Sequence, residues 1–251
     1  MRPIIGITCA WSEETRNESK ESSYYFAGKS YIKAIYENGG IPLLIPPELK
    51  EDNIDNDVEA ILRKLDGIVF SGGGNAIKYP PHDHPTLESQ QPKRYHFEKK
   101  LMLGAWERDI PVLGICRGHQ MIAEVFGGTL FEENIKGHNK DIPKNKKCHE
   151  TIIEKDSYIY KIIKKDNWCT NSYHIQAVDA VPYGFKSTVH AEDGIIEGIE
   201  ALNKNFFVGL QFHPEELLPD DENSRLIFQK LIAEAQQEAQ KKAKLLNFAP
   251  L

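Results

Sequence analysis

Four short, continuously apolar runs constrain the fold of this 251-residue chain more than any other feature. They occupy residues 4–8, 41–45, 67–71 and 111–115, and each ends in small or turn-forming residues. Runs of this length that are rich in β-branched residues are typical of strands covered on both faces, as in a parallel sheet. The sequence therefore predicts a mostly parallel central sheet.

Helical patterns lie between these runs. Apolar residues recur at helical spacing over residues 24–38, 54–65 and 94–108, and the first pattern stops at Gly39-Gly40, a pair typical of a helix end. Strands that alternate with helices predict an α/β fold that is doubly wound, with helices on both faces of the sheet.

The pattern changes after Gly127-Gly128, where the predicted strands become shorter. Asp193-Gly194 lies between two of them and predicts a hairpin turn, so we expect a smaller antiparallel β addition. Residues 222–246 predict a long C-terminal helix, and residues 236–251 are expected to project as a helical tail. We find no internal repeat and no long linker, so one domain is expected over residues 1–251. The short strands are predicted at residues 129–131, 151–154, 185–190, 195–199 and 206–210, and a polar surface loop at residues 136–147.

Composition and charge narrow the function classes. Hydrophobic residues make up 40% and charged residues 27% of the chain, which is typical of a globular protein. A net charge of −6 argues against a general nucleic-acid binder, and no apolar stretch reaches the length of a membrane span. The four cysteines are widely spread and include no Cys-x-x-Cys pair, which favours reduced thiols and a cytoplasmic location. A homodimer is left open.

A candidate nucleophile follows the run at residues 111–115. Residues 114–118 read Gly-Ile-Cys-Arg-Gly, which has the spacing of a nucleophile elbow with cysteine in place of serine. Glycines on both sides of Cys116 remove side chains that would collide in such a strained strand-to-helix turn. The thiol would lie at a helix N-terminus, where the dipole favours a thiolate. Taken alone, the pattern also fits a buried cysteine that ends a strand.

Two further motifs favour the catalytic interpretation. An apolar strand ends in His213-Pro214-Glu215, where the imidazole could act as base and acid and the carboxylate could orient it. A Ser-Gly-Gly-Gly turn at residues 71–74 lets backbone N–H groups approach a ligand closely. A surface turn is the alternative for the first motif, and a flexible turn or a phosphate loop for the second. The phosphate loop lacks its Gly-Lys-Ser/Thr ending, so an oxyanion hole shared with the Arg117 amide is the better interpretation.

Taken together, the motifs resemble those of the class I glutamine amidotransferase-like superfamily. Within it they are most similar to the γ-glutamyl-γ-aminobutyrate hydrolase family, peptidase family C26. The resemblance extends from about Ile4 to Leu218 in order and spacing. The segments that carry it are residues 113–120 (Leu-Gly-Ile-Cys-Arg-Gly-His-Gln), 127–130 (Gly-Gly-Thr-Leu), 171–176 (Asn-Ser-Tyr-His-Ile-Gln), 193–197 (Asp-Gly-Ile-Ile-Glu) and 209–215 (Gly-Leu-Gln-Phe-His-Pro-Glu).

The resemblance implies a flavodoxin-like fold and assigns roles by position. Cys116 would be the nucleophile, His213 the base and acid, and Glu215 the orienting carboxylate. The backbone amides of Gly73 and Arg117 would form the oxyanion hole, and the Arg117 side chain is a further candidate for binding a substrate carboxylate. The residues expected near the bound γ-glutamyl group are Gly74, Gln120, Asn171, Ser172 and His174.

The implied reaction is hydrolysis of the γ-glutamyl amide bond of a small γ-glutamyl amine, similar to γ-glutamyl-γ-aminobutyrate, through a γ-glutamyl thioester. It requires no metal or organic cofactor, and the sequence does not specify the amine. Two other functions remain open: a glutaminase subunit that delivers ammonia to a separate synthetase, and a non-catalytic ligand-binding homologue.

Histidines elsewhere in the chain raise the alternative of a metal site. The His82-Asp83-His84 segment lies among prolines, and we interpret it as a loop and expect no metal. His138 and His149 are interpreted as surface or pocket-edge residues, with His149 also considered for substrate contact.

Overall fold

An eleven-stranded mixed sheet organises the computed structural model, which describes residues 1–15, 21–47, 51–73 and 86–248. One half of this sheet is parallel, with all neighbouring strands in the same direction. The parallel strands, in spatial order, are β4 (Ile41–Ile45), β1 (Ile4–Thr8), β5 (Gly67–Phe70), β6 (Val112–Ile115) and β13 (Phe207–Leu210).

The other half of the sheet is antiparallel and continues from β13. Its strands, in spatial order, are β12 (Ile196–Ala201), β11 (Phe185–Ala191), β8 (His149–Ile153) and β9 (Asn167–Thr170), with β10 (Val178–Ala180) and β7 (Thr129–Leu130) paired at the side. A separate two-stranded sheet pairs β2 (Ala10–Thr15) with β3 (Glu21–Phe26) in antiparallel fashion.

Helices cover both faces of the sheet, each with its own buried apolar cluster. On one face, Ile35 and Ile227 pack against Ile5 of the sheet; on the other, Leu101 and Met121 pack in a second cluster. This arrangement confirms the doubly wound α/β prediction. The helices are α1 (Lys29–Glu37), α2 (Ile54–Lys64), α3 (Leu87–Gln90), α4 (Pro92–Glu107), α5 (Arg117–Val125), α6 (Tyr158–Ile163), α7 (Pro214–Leu217) and α8 (Glu222–Phe248), and a 3-10 turn (Glu51–Asn53) precedes α2.

The predicted strands are confirmed in both halves of the chain, and Asp193-Gly194 forms the turn between β11 and β12, with Gly194 at a φ of +89°. The predicted helix over residues 24–38 is wrong at its start. Tyr24 to Phe26 belong to β3, which pairs with β2, and the helix begins at Lys29. Aromatic residues favour strands, and pairing with a neighbouring strand outweighs a weak helical pattern.

The C-terminal helix does not project over the part that the structure describes in full. Ala235 and Ala239 are buried, and Lys242 forms an ion pair of 3.6 Å with Asp66. The Lys242 ammonium also donates to the carbonyl oxygen of Leu65. The expectation that residues 236–251 project from the fold therefore does not hold as far as Lys242, because the small and long-chain residues of this part pack against the end of α2. Among the described residues, no helix combines the length and the apolar character needed to cross a membrane.

The strand order fixes where a ligand can enter. From β1 the chain continues to β4 on one side of β1, and the later strand β5 pairs with β1 on its other side. The connections therefore diverge next to β1. In open α/β sheets such a switch point opens a crevice at the carboxyl ends of the strands. The turns that follow β5, β6 and β13 meet at this edge.

Candidate active site

Cys116 follows β6 directly and precedes α5, so its side chain stands at a strand-to-helix turn. Its backbone has a φ of 52° and a ψ of −102°, a combination that residues with a Cβ rarely adopt. The Cys116 N–H donates to the Leu210 carbonyl at 2.8 Å, which ties the turn to β13. Strained conformations of this kind persist where the surrounding structure holds them, and they cluster at functional sites.

Two glycines make this turn sterically feasible. A Cβ at Gly118 would lie 2.2 Å from the carbonyl oxygen of Phe70, and a Cβ at Gly114 would lie 2.5 Å from the carbonyl oxygen of Gly118. Both obstacles are backbone atoms, which cannot rotate away as a side chain can. The first turn of α5 therefore packs directly on β5 and β6.

We expect Gly118→Ala to destabilise the fold by roughly 1–3 kcal/mol, because the added methyl group forces α5 away from β5. Urea unfolding followed by circular dichroism measures the change. Gly28→Ala is the control, since its Cβ would meet only ordinary contacts with Tyr31 at 3.4 Å or more, and it should change stability by less than about 1 kcal/mol. If the two substitutions lowered the free energy of unfolding equally, the close packing of α5 on β5 at Gly118 would not be what this glycine is needed for.

His213 and Glu215 lie at the end of β13 and in the first turn of α7. His213 Nδ1 lies 2.6 Å from Glu215 Oε1, and both residues are buried. Asn171 holds the backbone of this histidine at two points: its Oδ1 accepts from the His213 N–H at 2.8 Å and its Nδ2 donates to the His213 carbonyl at 3.0 Å. The imidazole is thus fixed at both its ring and its main chain.

The sulfur, the imidazole and the glycine turn converge around Gly72. A Cβ at Gly72 would lie 2.8 Å from His213 Cε1 and 3.2 Å from Cys116 Cβ. Burial alone would lower the pKa of His213, but the charges of Glu215 and Cys116, together with hydrogen bonds to both, outweigh it and raise the pKa to about 10. At neutral pH this imidazole therefore carries a proton beside the Cys116 sulfur.

The glycine turn after β5 is held from behind by Arg94. Its guanidinium donates to the carbonyl oxygens of Ser71 at 2.7 Å, Gly72 at 3.2 Å and Gly73 at 3.2 Å. The Gly72 carbonyl and the Gly73 N–H belong to one trans peptide unit and point in opposite directions. Since the carbonyl faces Arg94, the Gly73 N–H faces the other way. The Gly72 N–H is engaged by the Tyr31 hydroxyl at 2.9 Å.

A buried ion-pair cluster lies beneath the elbow and was missed by sequence reasoning. Glu98 is completely buried and binds Arg94 Nε at 2.8 Å, the Thr8 hydroxyl at 2.7 Å and the guanidinium of Arg117. Burial would raise the pKa of Glu98, but the charges of the two arginines lower it below its usual range. Arg94 and Glu98 are four residues apart on α4, which is the signal that could have predicted their pairing.

The convergence point opens into a cavity of about 290 Å³. Arg117 and Lys144 contribute positive charge to its wall, and none of its described lining residues is acidic. Arg117 is 3% exposed, and its Nε and Nη2 are buried without a hydrogen-bond partner among the described residues. The lining residues are Gly73, Leu87, Gln90, Cys116, Arg117, Gln120, Asn139, Lys144, Tyr173, His174, Ile175, Gln176 and His213.

The residues expected near a γ-glutamyl group occupy different positions. Gln120 and His174 line the cavity. Asn171 and Ser172 are fully buried outside its lining, where Asn171 holds His213 and the Ser172 hydroxyl donates to the His138 carbonyl at 2.6 Å. Their side chains are thus used for positioning in this structure. Gly74 lies outside the described residues, as does the His82-Asp83-His84 segment. Tyr173, which belongs to the 171–174 segment expected near the substrate, also lines the cavity. Lys144 lines it too and was not predicted, because a polar loop gives no periodic signal.

The interpretation of His138 as a surface or pocket-edge residue is wrong. Its side chain is buried and lies between Asp193 Oδ2, 2.9 Å from Nε2, and Glu197 Oε1, 3.2 Å from Nδ1. His149 and His174 also approach Glu197 Oε1, each at 3.3 Å. Burial would raise the pKa of Glu197, but the surrounding histidines lower it well below its usual range. Isolated polar residues in a loop gave no sign of this convergence, because it depends on β8, β12 and two loops meeting.

The fold and the site together define a protein of the class I glutamine amidotransferase-like type, with a cysteine elbow at the carboxyl edge of a parallel sheet. A family model described as Peptidase C26 matches residues 3–215, and the chain belongs to that family.

Relatives with assigned names agree with this placement. A glutamine amidotransferase-like protein of Rickettsia prowazekii is 32% identical over 267 residues, covering 86% of this chain and 92% of that protein. The γ-glutamyl-γ-aminobutyrate hydrolase PuuD of Escherichia coli K12 is 27% identical over 260 residues, covering 97% of both. A solved structure from Thermoplasma acidophilum, named as a GMP synthase subunit, has a TM-score of 0.64 at 17% identity, covering 97% of this chain and 98% of its own, and shares the fold.

Proposed function

We propose that this protein is a cysteine-dependent hydrolase that cleaves the γ-glutamyl amide bond of a small γ-glutamyl amine. The observation that carries the proposal is the convergence of Cys116, the protonated His213 and Glu215 at the mouth of a cavity with positively charged lining. The Peptidase C26 family membership and the hydrolase names of relatives support it.

The cavity lining favours a substrate that carries a carboxylate. Arg117 contributes a guanidinium group to the cavity wall, and a guanidinium matches a carboxylate in geometry. Lys144 offers a second cation, and Gln120 offers an amide at the cavity wall. A γ-glutamyl group has an α-carboxylate on one side of its amide, and a γ-aminobutyrate leaving group has another on the other side.

In the proposed reaction the Cys116 thiolate attacks the γ-carbonyl carbon, and a C–S bond forms. The N–H groups of Gly73 and Arg117 stabilise the resulting oxyanion; loss of one such donor typically costs about 10²–10³ in rate. Protonated His213 gives its proton to the amine nitrogen as the C–N bond breaks, which leaves a γ-glutamyl thioester. Neutral His213 then takes a proton from water, the C–O bond forms and the C–S bond breaks. Glutamate leaves, and the thiolate and imidazolium are restored.

A glutaminase subunit is the second candidate, because relatives at about the same identity carry glutamine amidotransferase names. A substrate panel separates the two: γ-glutamyl-γ-aminobutyrate, other γ-glutamyl amines, glutamine and folate polyglutamates, scored by glutamate release. The proposal expects the isolated chain to turn over γ-glutamyl amines faster than glutamine. Activity on glutamine alone would favour the glutaminase, and activity on none of these would favour a ligand-binding homologue.

The elevated pKa of His213 predicts the alkaline side of the pH profile. Because the leaving amine needs the proton of His213, kcat/KM should fall as the pH rises through about 10. Glu215→Gln removes the adjacent negative charge, so we expect this alkaline limb to move to lower pH by roughly one to three units. Glu216→Gln is the matched control on the same helix, since that carboxylate binds the Ser30 hydroxyl at 2.8 Å instead. If the alkaline limb of the pH profile does not move in Glu215→Gln, then Glu215 does not raise the pKa of His213.

A further inference from the structure

The buried carboxylate of Glu197 is surrounded by histidines on three sides. Its Oε1 lies 3.2 Å from His138 Nδ1, 3.3 Å from His149 Nε2 and 3.3 Å from His174 Nε2. The ligand atoms of His138, His174 and Glu197 all lie within 4.8 Å of one another. This group occupies the antiparallel half of the sheet and lies outside the reaction proposed for Cys116.

The outer nitrogens of two of these rings fix which proton each ring carries. His174 Nδ1 lies 3.1 Å from the Gln176 carbonyl oxygen, which can only accept, so Nδ1 must carry a proton. His138 Nε2 lies 2.9 Å from Asp193 Oδ2, which places the proton of a neutral ring on Nε2. In both neutral rings the remaining lone pair is directed at Glu197. A lone pair and a carboxylate oxygen repel each other unless a proton or a metal cation lies between them.

Histidines that bind a metal usually make the same kind of contact through the ring nitrogen that does not bind the metal. Such a histidine donates its other ring N–H to a backbone carbonyl or a carboxylate, which fixes the tautomer and the ring orientation. Both kinds of partner occur here: His174 faces the backbone carbonyl of Gln176, and His138 faces the carboxylate of Asp193. Ligand atoms at about 2.0–2.1 Å from a tetrahedral zinc ion lie about 3.3 Å from one another, which is close to the separations of His138 Nδ1 and His174 Nε2 from Glu197 Oε1.

Unsatisfied polar atoms in the same group point to a missing ligand. Glu197 Oε2 and His149 Nε2 are buried without a hydrogen-bond partner among the described residues. Buried polar atoms are nearly always satisfied, so each such atom requires an explanation. A divalent cation would engage both, and its two charges would balance those of Glu197 and Asp193.

We propose that His138, His174 and Glu197 form a binding site for one divalent transition-metal ion, with zinc as the best match to imidazole and carboxylate ligands. His149, whose Nε2 lies 3.3 Å from Glu197 Oε1 but which stands outside this group of three, is the candidate fourth ligand. The ion joins β8, β12 and the segments that carry His138 and His174. Because His174 and Gln176 also line the cavity, the ion holds one wall of the candidate active site in place. It takes no part in the proposed chemistry of Cys116.

The direct test uses the tag-free chain of 251 residues. After dialysis against a chelator, the folded protein is titrated with Co²⁺, and metal content is measured independently by mass spectrometry after loading with Zn²⁺. We expect one ion per chain and the visible absorption bands of tetrahedral Co²⁺. Failure of the folded wild-type chain to take up either ion would overturn the proposal and would leave a cluster held by protons alone. A thiolate-to-Co²⁺ charge-transfer band would also overturn it, because it would place the metal on a cysteine.

Variants assign the ligands. His149→Ala removes a side chain that is 14% exposed, so it is the substitution that the fold tolerates most easily, and it should weaken Co²⁺ binding by at least roughly tenfold. His96→Ala is the control, because that histidine is 53% exposed and pairs with Glu88 on the surface. Unchanged Co²⁺ affinity in His149→Ala would exclude this histidine, and Glu197→Gln then tests the carboxylate. Uptake that is unchanged in both variants would refute the site, whatever the activity of the enzyme.

Discussion

Replacing Cys116 with alanine is expected to lower kcat/KM for a γ-glutamyl amine by roughly 10⁴-fold or more, because Cys116 is the one thiol in the described cavity lining and the proposed reaction passes through its thioester. Removal of a nucleophile leaves only the contribution of the oxyanion hole and of substrate binding. Alanine carries a Cβ, as cysteine does, so the substitution leaves the backbone strain at a φ of 52° nearly unchanged. The fold of the variant should therefore persist. Initial rates of glutamate release measure the first effect, and thermal unfolding measures the second.

Cys169→Ala is the matched control for this experiment. Cys169 is a half-buried thiol on β9, in the antiparallel half of the sheet and away from the cavity lining. Its replacement should leave kcat/KM within about twofold of the wild type, as expected for a residue outside the chemistry. A γ-glutamyl electrophile should label Cys116 stoichiometrically in the wild type and in Cys169→Ala. A Cys116→Ala protein that retains most of its activity would refute the nucleophile assignment and with it the proposed reaction.

Local sequence patterns were sufficient to predict the framework of the site. The strands before the glycine turn, before Cys116 and before His213 are short apolar runs, and each needs only its own residues to be recognised. Because the carboxyl ends of parallel strands share one edge, their order along the chain places the three motifs together. The strained turn at Cys116 follows the same logic, since glycines at positions 114 and 118 allow the close approach of α5 to β5 and β6.

Most of the features that sequence reasoning missed depend on side chains that meet from distant elements. Tyr31 was assigned only to an apolar helix face, but its hydroxyl engages the Gly72 N–H, 41 positions away. The polar loop around His138 predicts a surface or pocket-edge residue, yet His138 is buried between Asp193 and Glu197. Burial of a polar residue is determined by partners that compensate its desolvation, and such partners leave no periodic mark in the sequence.

The Glu98 cluster yields the largest expected effect on stability. Glu98→Gln keeps the shape of the side chain but removes its charge, which leaves the buried guanidinium groups of Arg94 and Arg117 without a counterion. Breaking a buried ion pair in this way typically costs about 3–5 kcal/mol, because a charge is left uncompensated in a medium of low polarizability. Urea unfolding at neutral pH measures the difference from the wild type.

Glu59→Gln is the control, because it removes an ion pair with Arg63 and Arg108 at a position that is 35% exposed. Exposed ion pairs contribute about 0–1 kcal/mol, so this variant should remain close to the wild type.

The pH dependence gives an independent check. The pKa of Glu98 in the folded protein is below its ordinary value of 4.5, so its stabilising contribution is complete above that pH and is lost as the pH falls through the lower, folded-state pKa. The stability difference between the wild type and Glu98→Gln should therefore shrink in acid. A difference that is no larger than that of Glu59→Gln, or that grows in acid, would show that the elbow does not depend on this carboxylate for its support.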